Sequence, residues 1–530
     1  MKKPGLKSEG RAHVLLDLWL IQLILLLRPD LSSAAEADPD GFAWWLINAG
    51  RKEYRSLPES NEFKEYLGAI EGGTGLTRLQ YLVYQNRPDV QKAHPISDGP
   101  GAYAQWFYQH GVREHDLWDL LNEDDLFLAS ADPQRRPRSA PPSASLPSER
   151  PFGVNLIGYA FGQLGIGEDL RMAAKALEAA GVPFTIINFA PGADTGQADR
   201  SVAHWVGDSG PYRYNIFCLS ALEHGRFFAE RGSEQMIARY SIGYWPWELE
   251  RWPPEWQGIF RLVDEVWASS QHTLGAVKGA AGKVPCHLMP MAVDLGPVSR
   301  KGRPSFGLPG KACLFCFAFD LNSSIHRKNA AACLEAFARA FPTSADALGP
   351  HEVGLVLKCH RPRLKNPLWT LIKQRAAKDK RIHVMEETLP RNELLALYRS
   401  CDCFVSLHRA EGFGRNIAEA LQLGLHVITT GYSGNTDFCR PPVADLVDFR
   451  LVPVEEAQYP FSRGAVWADP DVDAAANYMM RFASRRRSAR KGDLLPASYT
   501  VQAVGAKYRR RLTEIGRELA AAARTVAFQS

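Results

Sequence analysis

The chain has 530 residues, 45% hydrophobic and 23% charged. Single cores rarely grow beyond about 250–300 residues, so this length calls for several domains, and the composition excludes a disordered or fibrous chain. A formal net charge of +5 is too mild to argue for nucleic-acid binding.

Near the start, Lys2 and Lys3 precede the apolar run Val14 to Leu27, and Ser33-Ala34-Ala35-Glu36-Ala37 follows it. That outline is superficially a signal peptide. However, Asp17 and Gln22 interrupt the run, which is too short for a comfortable transmembrane helix. A later stretch explains it better. LWLIQLILLLRPDL, Leu18 to Leu31, matches TRLQYLVYQNRPDV, Thr77 to Val90: Leu20, Leu23 and Ile24 align with Leu79, Leu82 and Val83, and both include Arg-Pro-Asp. Farther on, Trp45, Gly50, Arg51 and Glu53 correspond to Trp106, Gly111, Val112 and Glu114. Residues 1–130 therefore read as a pair of helical repeats, and the apolar run as the first helix of one copy. They could bind acceptor, a membrane partner or another protein.

Residues 131–150, ADPQRRPRSAPPSASLPSER, read as a Pro/Ser/Arg-rich linker. Its arginines Arg135, Arg136 and Arg138, like Arg485-Arg486-Arg487 and Arg490-Lys491, form local basic clusters. A solvated surface accounts for them, with peripheral contact to an anionic membrane as the alternative.

From residue 151 onward, short apolar runs alternate with amphipathic stretches, the pattern of parallel sheets covered by helices. Strands are expected at Gly153–Ile157, Tyr214–Leu219, Tyr240–Tyr244, Glu265–Ala268 and Cys286–Met289. A second series is expected at Cys313–Phe319, Val353–Lys358, Ile382–Met385, Cys403–Leu407 and His426–Thr429. Helices are expected at Asn329–Ala340 and Arg391–Ser400. This gives two Rossmann-like α/β domains facing a cleft, 151–300 and 301–480, divided near the Gly/Pro-rich residues 295–310, with C-terminal helices over 481–530. The nine cysteines, an odd number set mostly in apolar runs, suggest reduced thiols in a cytoplasmic protein. Cys313-Leu-Phe-Cys316 has zinc-type spacing, but no second Cys/His pair completes four ligands, so no metal site is read.

Four stretches could carry chemistry. After the strand at Cys403, His408-Arg-Ala-Glu411-Gly412-Phe413-Gly414 leads into a helix near Arg415. Ligands of open α/β sheets bind at strand carboxyl ends, where a helix N-terminus offers unpaired N–H groups. Gly412 and Gly414 would let the backbone approach a diphosphate; Glu419 could accept from vicinal hydroxyls, and Glu411 could face the reacting end. Lys328, beside Arg327, starts a helix, where a cation opposes the dipole unless an anion is also present. A bound diphosphate or a neighbouring carboxylate would account for it. Gly165-Ile-Gly167 leads into the acidic start Glu168-Asp169, which suits a loop closing over the cleft better than a phosphate cradle. Finally, IGYWPWELERWPPEW could be core or could stack on sugar faces, and Glu248 or His224 could approach the reacting centre.

Together these residues resemble the retaining glycosyltransferases of family 4, which have the GT-B fold. The likeness spans roughly residues 151 to 480. The family's Glu-x7-Glu signature appears as Glu411 to Glu419, its phosphate-binding lysine as Lys328, and its glycine loop as Gly165 to Gly167. The resemblance implies a nucleotide-diphosphate sugar as donor substrate, no cofactor, no metal and retained anomeric configuration. Glu419 would bind ribose, Lys328 and the loop Gly412–Arg415 the diphosphate, and Glu411 the sugar. The acceptor would be a glycan or lipid-linked glycan of cell-surface polysaccharide synthesis, met in the cytoplasm or at the inner face of the membrane. The sequence departs from the family at three places. Asn322 replaces the usual arginine six residues before the lysine, so that Arg327 would compensate. YWPWEL stands where a histidine is frequent, which leaves Glu248 as a candidate there, and His408 stands where serine is common before Glu411. A sugar-nucleotide epimerase of the same architecture, or a degenerate carbohydrate-binding scaffold, are the competing readings.

Overall fold

A computed structural model describes residues 14–129, 147–192, 196–321, 323–343, 353–360, 366–485 and 492–529. Most of the expected linker, Asn322, and the basic residues 135–138 and 486–491 lie outside them. The chain divides into two units. One comprises Met1–Pro151, Ala221–Ser241 and Gly258–Leu262; the other comprises Phe152–Ser220, Ile242–Gln257 and Val263–Ser530.

The first unit is helical. Its helix Trp19–Leu27 buries Leu20, Ile21, Leu23 and Ile24, so the apolar run is core. Pro29–Ala37 and Pro39–Trp45 follow, then a π-turn at Leu46–Gly50 and a short helix at Arg51–Glu53. The same succession occurs at Arg78–Gln85, Pro88–Ala93, Gly101–Trp106, the π-turn Phe107–Gly111 and Val112–Glu114. Proline opens the second helix of each set, where its missing N–H costs nothing, and the following aspartate suits the dipole. Arg28 pairs with Asp30 at 2.8 Å and Glu53 at 2.9 Å; Arg87 pairs with Asp89 at 2.8 Å and Glu114 at 2.6 Å.

A boundary at residue 130 omits part of this unit. Helix Ala221–Arg231 joins it because Gly225 leaves room for Leu23, whose Cδ1 would stand 2.7 Å from an added Cβ. Phe228 also meets Trp19 at 5.7 Å between ring centroids. Among the described residues no helix is long and apolar enough to cross a membrane.

The second unit holds two six-stranded parallel sheets. The first contains β1 Val154–Gly158, β2 Phe184–Asn188, β3 Tyr214–Cys218, β4 Tyr240–Tyr244, β5 Glu265–Ala268 and β6 Cys286–Leu288, ordered β2-β1-β3-β4-β5-β6. The second contains β7 Cys313–Asp320, β8 Val353–His360, β9 Ile382–Met385, β10 Cys403–Ser406, β11 His426–Thr430 and β12 Ala444–Val447. Its order, β12-β11-β10-β7-β8-β9, is that of a Rossmann sheet, with the reversal between β7 and β10. Continuous burial along β1, β3, β7 and β8 matches strands covered on both faces. Two parallel sheets are the α/β architecture that the GT-B resemblance implies.

All ten expected strands are present within two residues at each end. Beyond them lie β2, β12 and the antiparallel hairpin of β13 Phe449–Pro453 with β14 Val466–Pro470. These gave weak signals, being short, only partly buried or, in β13, largely exposed. The C-terminal segment contains a long helix. Helix Val501–Gln529 packs on helix Gly165–Ala179, where Gly505 approaches the Ala176 carbonyl so closely that a Cβ would come within 2.0 Å of it. Arg511 pairs at 2.7 Å with the buried Glu265 of β5.

Candidate functional site

The turn Ile325–Lys328 follows β7 and carries two adjacent cations. It is bracketed by Ser324 and Asn329, both non-glycine residues at positive φ, 38° and 57°. Such conformations cost about 1–3 kcal/mol each unless the surroundings fix them. Here the Ser324 hydroxyl donates to the Gln458 carbonyl at 2.8 Å, and the Asn329 amide donates to the Leu407 carbonyl at 3.0 Å. The turn thereby presents Arg327 and Lys328 to the end of β10.

Both cations meet Glu411 there. Lys328 Nζ is ion-paired with Glu411 Oε1, and Arg327 Nη1 lies 3.2 Å from Oε2. Arg327 also donates to the Ala410 carbonyl at 2.8 Å and lies 3.4 Å from Glu248 Oε1. Glu248 in turn accepts from the Tyr459 hydroxyl at 2.5 Å. Burial alone would raise the Glu411 carboxyl, but Lys328 and Arg327 outweigh it and bring it down to about 2. Burial lowers the Lys328 ammonium against the opposing pull of Glu411, whereas for Arg327 the pull of Glu248 and Glu411 exceeds burial and raises it. Arg327, Lys328, Glu248, Glu411, Gly412, Phe413, Gly414 and Arg415 line one chamber of about 370 Å³, together with Leu164 and Gly165.

The glycine turn is shaped by protein contacts. An added Cβ on Gly412 would come within 2.9 Å of the Trp247 carbonyl, and the Gly412 carbonyl accepts from Ser270 Oγ at 2.6 Å. Gly414 caps the helix Arg415–Gln422 at φ 92°, a left-handed conformation that favours glycine. Phe413 packs on Phe438 and Tyr499. The helix N-terminus at Arg415 thus faces the chamber, although the space that Gly412 spares is taken by Trp247 and not left for a phosphate.

Glu419 lies in a second chamber of about 210 Å³, lined also by Glu168, Lys358, Leu389, Arg391 and Tyr398. The chambers share Leu164, Gly165, Ala318, Phe319, Asp320, Arg415 and Asn416, and so adjoin along the β7 end. Glu419 Oε1 accepts from Arg391 Nη2 at 3.0 Å, and Arg391 Nε lies 3.0 Å from Glu168 Oε1. Beside this pair, Arg415 Nε donates to Asp169 at 2.9 Å. The acidic start of helix Gly165–Ala179 is therefore ion-paired with Arg391 and Arg415 of the other sheet's domain, and Glu168 also accepts from Arg171 Nε of its own helix at 2.9 Å. Burial raises Asp169, while for Glu168 the attraction of Arg391 and Arg171 exceeds burial and lowers it.

Three further expectations change. His408 is fully buried and lines neither chamber; its Nδ1 lies 3.1 Å from Ser406 Oγ and its Nε2 lies 3.0 Å from Asn435 Oδ1. Burial lowers it to about 4, and the neutral ring braces the loop from beneath. Gly167 also lines neither chamber. It lies inside the helix, where an added Cβ would meet the Gly162 carbonyl at 2.4 Å; only Gly165 reaches the cleft. Trp245, Trp247, Trp252 and Trp256 are at most 6% exposed and pack on one another, which makes them core and removes them as a sugar platform. Arg391, Tyr459 and Lys358 join the site without having been expected there. Arg391, a cation at a helix start, carries the signal that singled out Lys328; Tyr459 carries none.

With this geometry in place, the comparisons bear on the second sheet's domain. The family model described as "Glycosyl transferases group 1" matches residues 326–491. That stretch is similar to group 1 glycosyltransferases. Lys328, Glu411 and Glu419 all lie in the matched stretch. None of the curated proteins matches the sequence. Among solved structures, a sucrose-phosphate synthase (tll1590) from Thermosynechococcus elongatus is 15% identical at a TM-score of 0.46, covering 72% of this chain and 100% of its own. Anabaena Alr3699/HepE in complex with UDP and glucose is also 15% identical, at 0.41, with 71% and 100% covered. The apo lipopolysaccharide outer core galactosyltransferase WaaB is 11% identical at 0.45, with 68% and 99% covered.

Proposed function

We propose that the chain is a retaining glycosyltransferase of GT-B type, moving a sugar from a nucleotide-diphosphate sugar to a glycan or lipid-linked glycan. One observation carries this reading: Glu411, held ionised by Lys328 and Arg327 at the end of β10, shares a continuous cleft with Glu419. In this reading Glu419 accepts from the ribose hydroxyls in the smaller chamber. The diphosphate lies in the larger one, at the N-terminus of helix Arg415–Gln422. Lys328 exchanges Glu411 for phosphate oxygen, which leaves Glu411 free to accept from hydroxyls of the transferred sugar. The bond from the anomeric carbon to the diphosphate oxygen breaks, and the acceptor oxygen bonds to that carbon from the same face. The acceptor's proton passes to the departing phosphate. Lys328, Arg327 and the helix terminus offset the leaving-group charge without a metal. Glu248, held by Arg327 and Tyr459, stands on the acceptor side.

The wider role in this reading is assembly of a cell-surface polysaccharide in the cytoplasm, at the inner face of the membrane. The matching arginine networks at Arg28 and Arg87 support reading residues 18–54 and 77–115 as two copies of one helical unit, which would bind a partner protein or acceptor.

A turnover screen over UDP-, GDP- and dTDP-sugars tests the reading, with Glu419→Ala and Lys328→Ala as controls and product configuration followed by NMR. Retained configuration, loss of turnover in Lys328→Ala and weakened donor binding in Glu419→Ala are expected. No nucleotide sugar bound or turned over would sink the transferase, and epimerised donor without acceptor would replace it with the epimerase.

A further inference from the structure

The smaller chamber contains two polar side chains that the proposed mechanism does not use. Lys358, near the carboxyl end of β8, is 2% exposed, and among the described residues its ammonium forms no ion pair. Its hydrogen bond is to the Cys359 carbonyl at 2.9 Å. Tyr398, from helix Arg391–Ser400, is fully buried, and among the described residues its hydroxyl has no hydrogen-bond partner. Both line the chamber that holds Glu419, whose apolar walls include Leu389 and Leu394. A buried ammonium with spare N–H groups and a buried hydroxyl without a partner are each costly unless a ligand completes them.

We propose that Lys358 and Tyr398 read the donor's base, and that they select one presenting a carbonyl oxygen beside a ring N–H, as uracil, thymine and guanine do, over adenine. The inference rests on the nucleotide-sugar reading. Glu419, an acceptor only, takes the ribose hydroxyls, so the remaining polar groups of its chamber meet the next part of the nucleoside. Lys358 can only donate, which suits a carbonyl oxygen; the Tyr398 hydroxyl can accept from the neighbouring ring N–H. Leu389 and Leu394 offer apolar contact to a flat ring. Adenine has no carbonyl and sets an amino group, another donor, beside its ring nitrogen. A site built around such a pair rejects a ligand that leaves it unpaired.

Calorimetric binding of UDP, dTDP, GDP, ADP and inorganic pyrophosphate to the full chain, to Lys358→Met and to Tyr398→Phe tests this. The wild type should bind at least one of UDP, dTDP and GDP about tenfold or more tighter than ADP, and Lys358→Met should reduce that ratio to about threefold or less. Pyrophosphate affinity should not change. Tyr398→Phe keeps the ring and should weaken the favoured nucleotide about threefold or more, so it carries the test if Lys358→Met melts early. The proposal is overturned if both variants keep the ratio or if the wild type prefers ADP. It is also overturned if Lys358→Met weakens pyrophosphate as much as the nucleotide, because Lys358 would then be a phosphate ligand. If the wild type binds no nucleotide at all, the transferase reading falls with it, an outcome distinct from nucleotide binding with discrimination intact in the variants.

Discussion

Glu411 and Glu419 are the same residue type in one short motif, yet the fold gives them different surroundings. Glu411 stands at a strand end between two cations and faces the larger chamber. Glu419 is on the helix, 1% exposed, paired among the described residues with one cation, Arg391, and faces the smaller one. A carboxylate clamped by a buried arginine and a part-buried lysine is part of a local charge balance, and removing it exposes that balance. A carboxylate with one partner and a cavity in front of it is freer to bind. The spacing in sequence says only that two acceptors are available; the packing decides what each one accepts from.

Glu411→Gln should have the largest effect. Turnover is expected to fall about a hundredfold or more. Leaving Arg327 and Lys328 without their shared anion should also cost about 3–5 kcal/mol of stability, read as a lower Tm. The acid limb of the stability curve gives a second readout. The Glu411 carboxyl is held at about 2 in the fold against 4.5 unperturbed. Its contribution is therefore complete above the unperturbed value and lost as pH falls through the folded one. Wild-type stability should decline through that window more steeply than that of the variant. Equal slopes would remove Glu411 from the charge balance.

Next in size, Glu419→Ala should weaken nucleotide binding about tenfold while kcat at saturating donor falls less. A variant whose kcat collapsed with affinity unchanged would erase the contrast between the two glutamates.

His408→Gln should have the smallest effect, with turnover within about threefold of wild type and a stability loss of about 1–2 kcal/mol. Burial holds His408 at about 4 in the fold against 6.5 unperturbed. As pH falls through this interval the unfolded chain takes up a proton that the fold refuses, so wild-type stability drops there. The variant should lack that drop. A turnover loss comparable to that of Glu411→Gln would return His408 to the catalytic group.

Much of the second unit was legible because buried parallel strands leave continuous apolar runs, and β7, β8 and β10 are of that kind. The weakly patterned β12 and the exposed β13 were not. Lys328 was legible as a cation placed against a helix dipole. Arg391 carried the same signal without the neighbouring motif that drew attention to Lys328. The place of helix Ala221–Arg231 could not be read locally, because it depends on Gly225 accommodating Leu23 from about two hundred residues earlier.

By itself the sequence determined the α/β alternation, the strand–turn–helix around Glu411 and the cations beside it, because local periodicity and glycine chemistry act over a few residues. Only the tertiary structure decided which charges meet. Lys328 and Glu411 are 83 positions apart, as Arg415 and Asp169 are 246 apart. Burial then fixed the balance of each pair, lowering Glu411 through its cations and keeping His408 neutral. Electrostatic environment is a property of distance in space, which side-chain order along the chain does not encode.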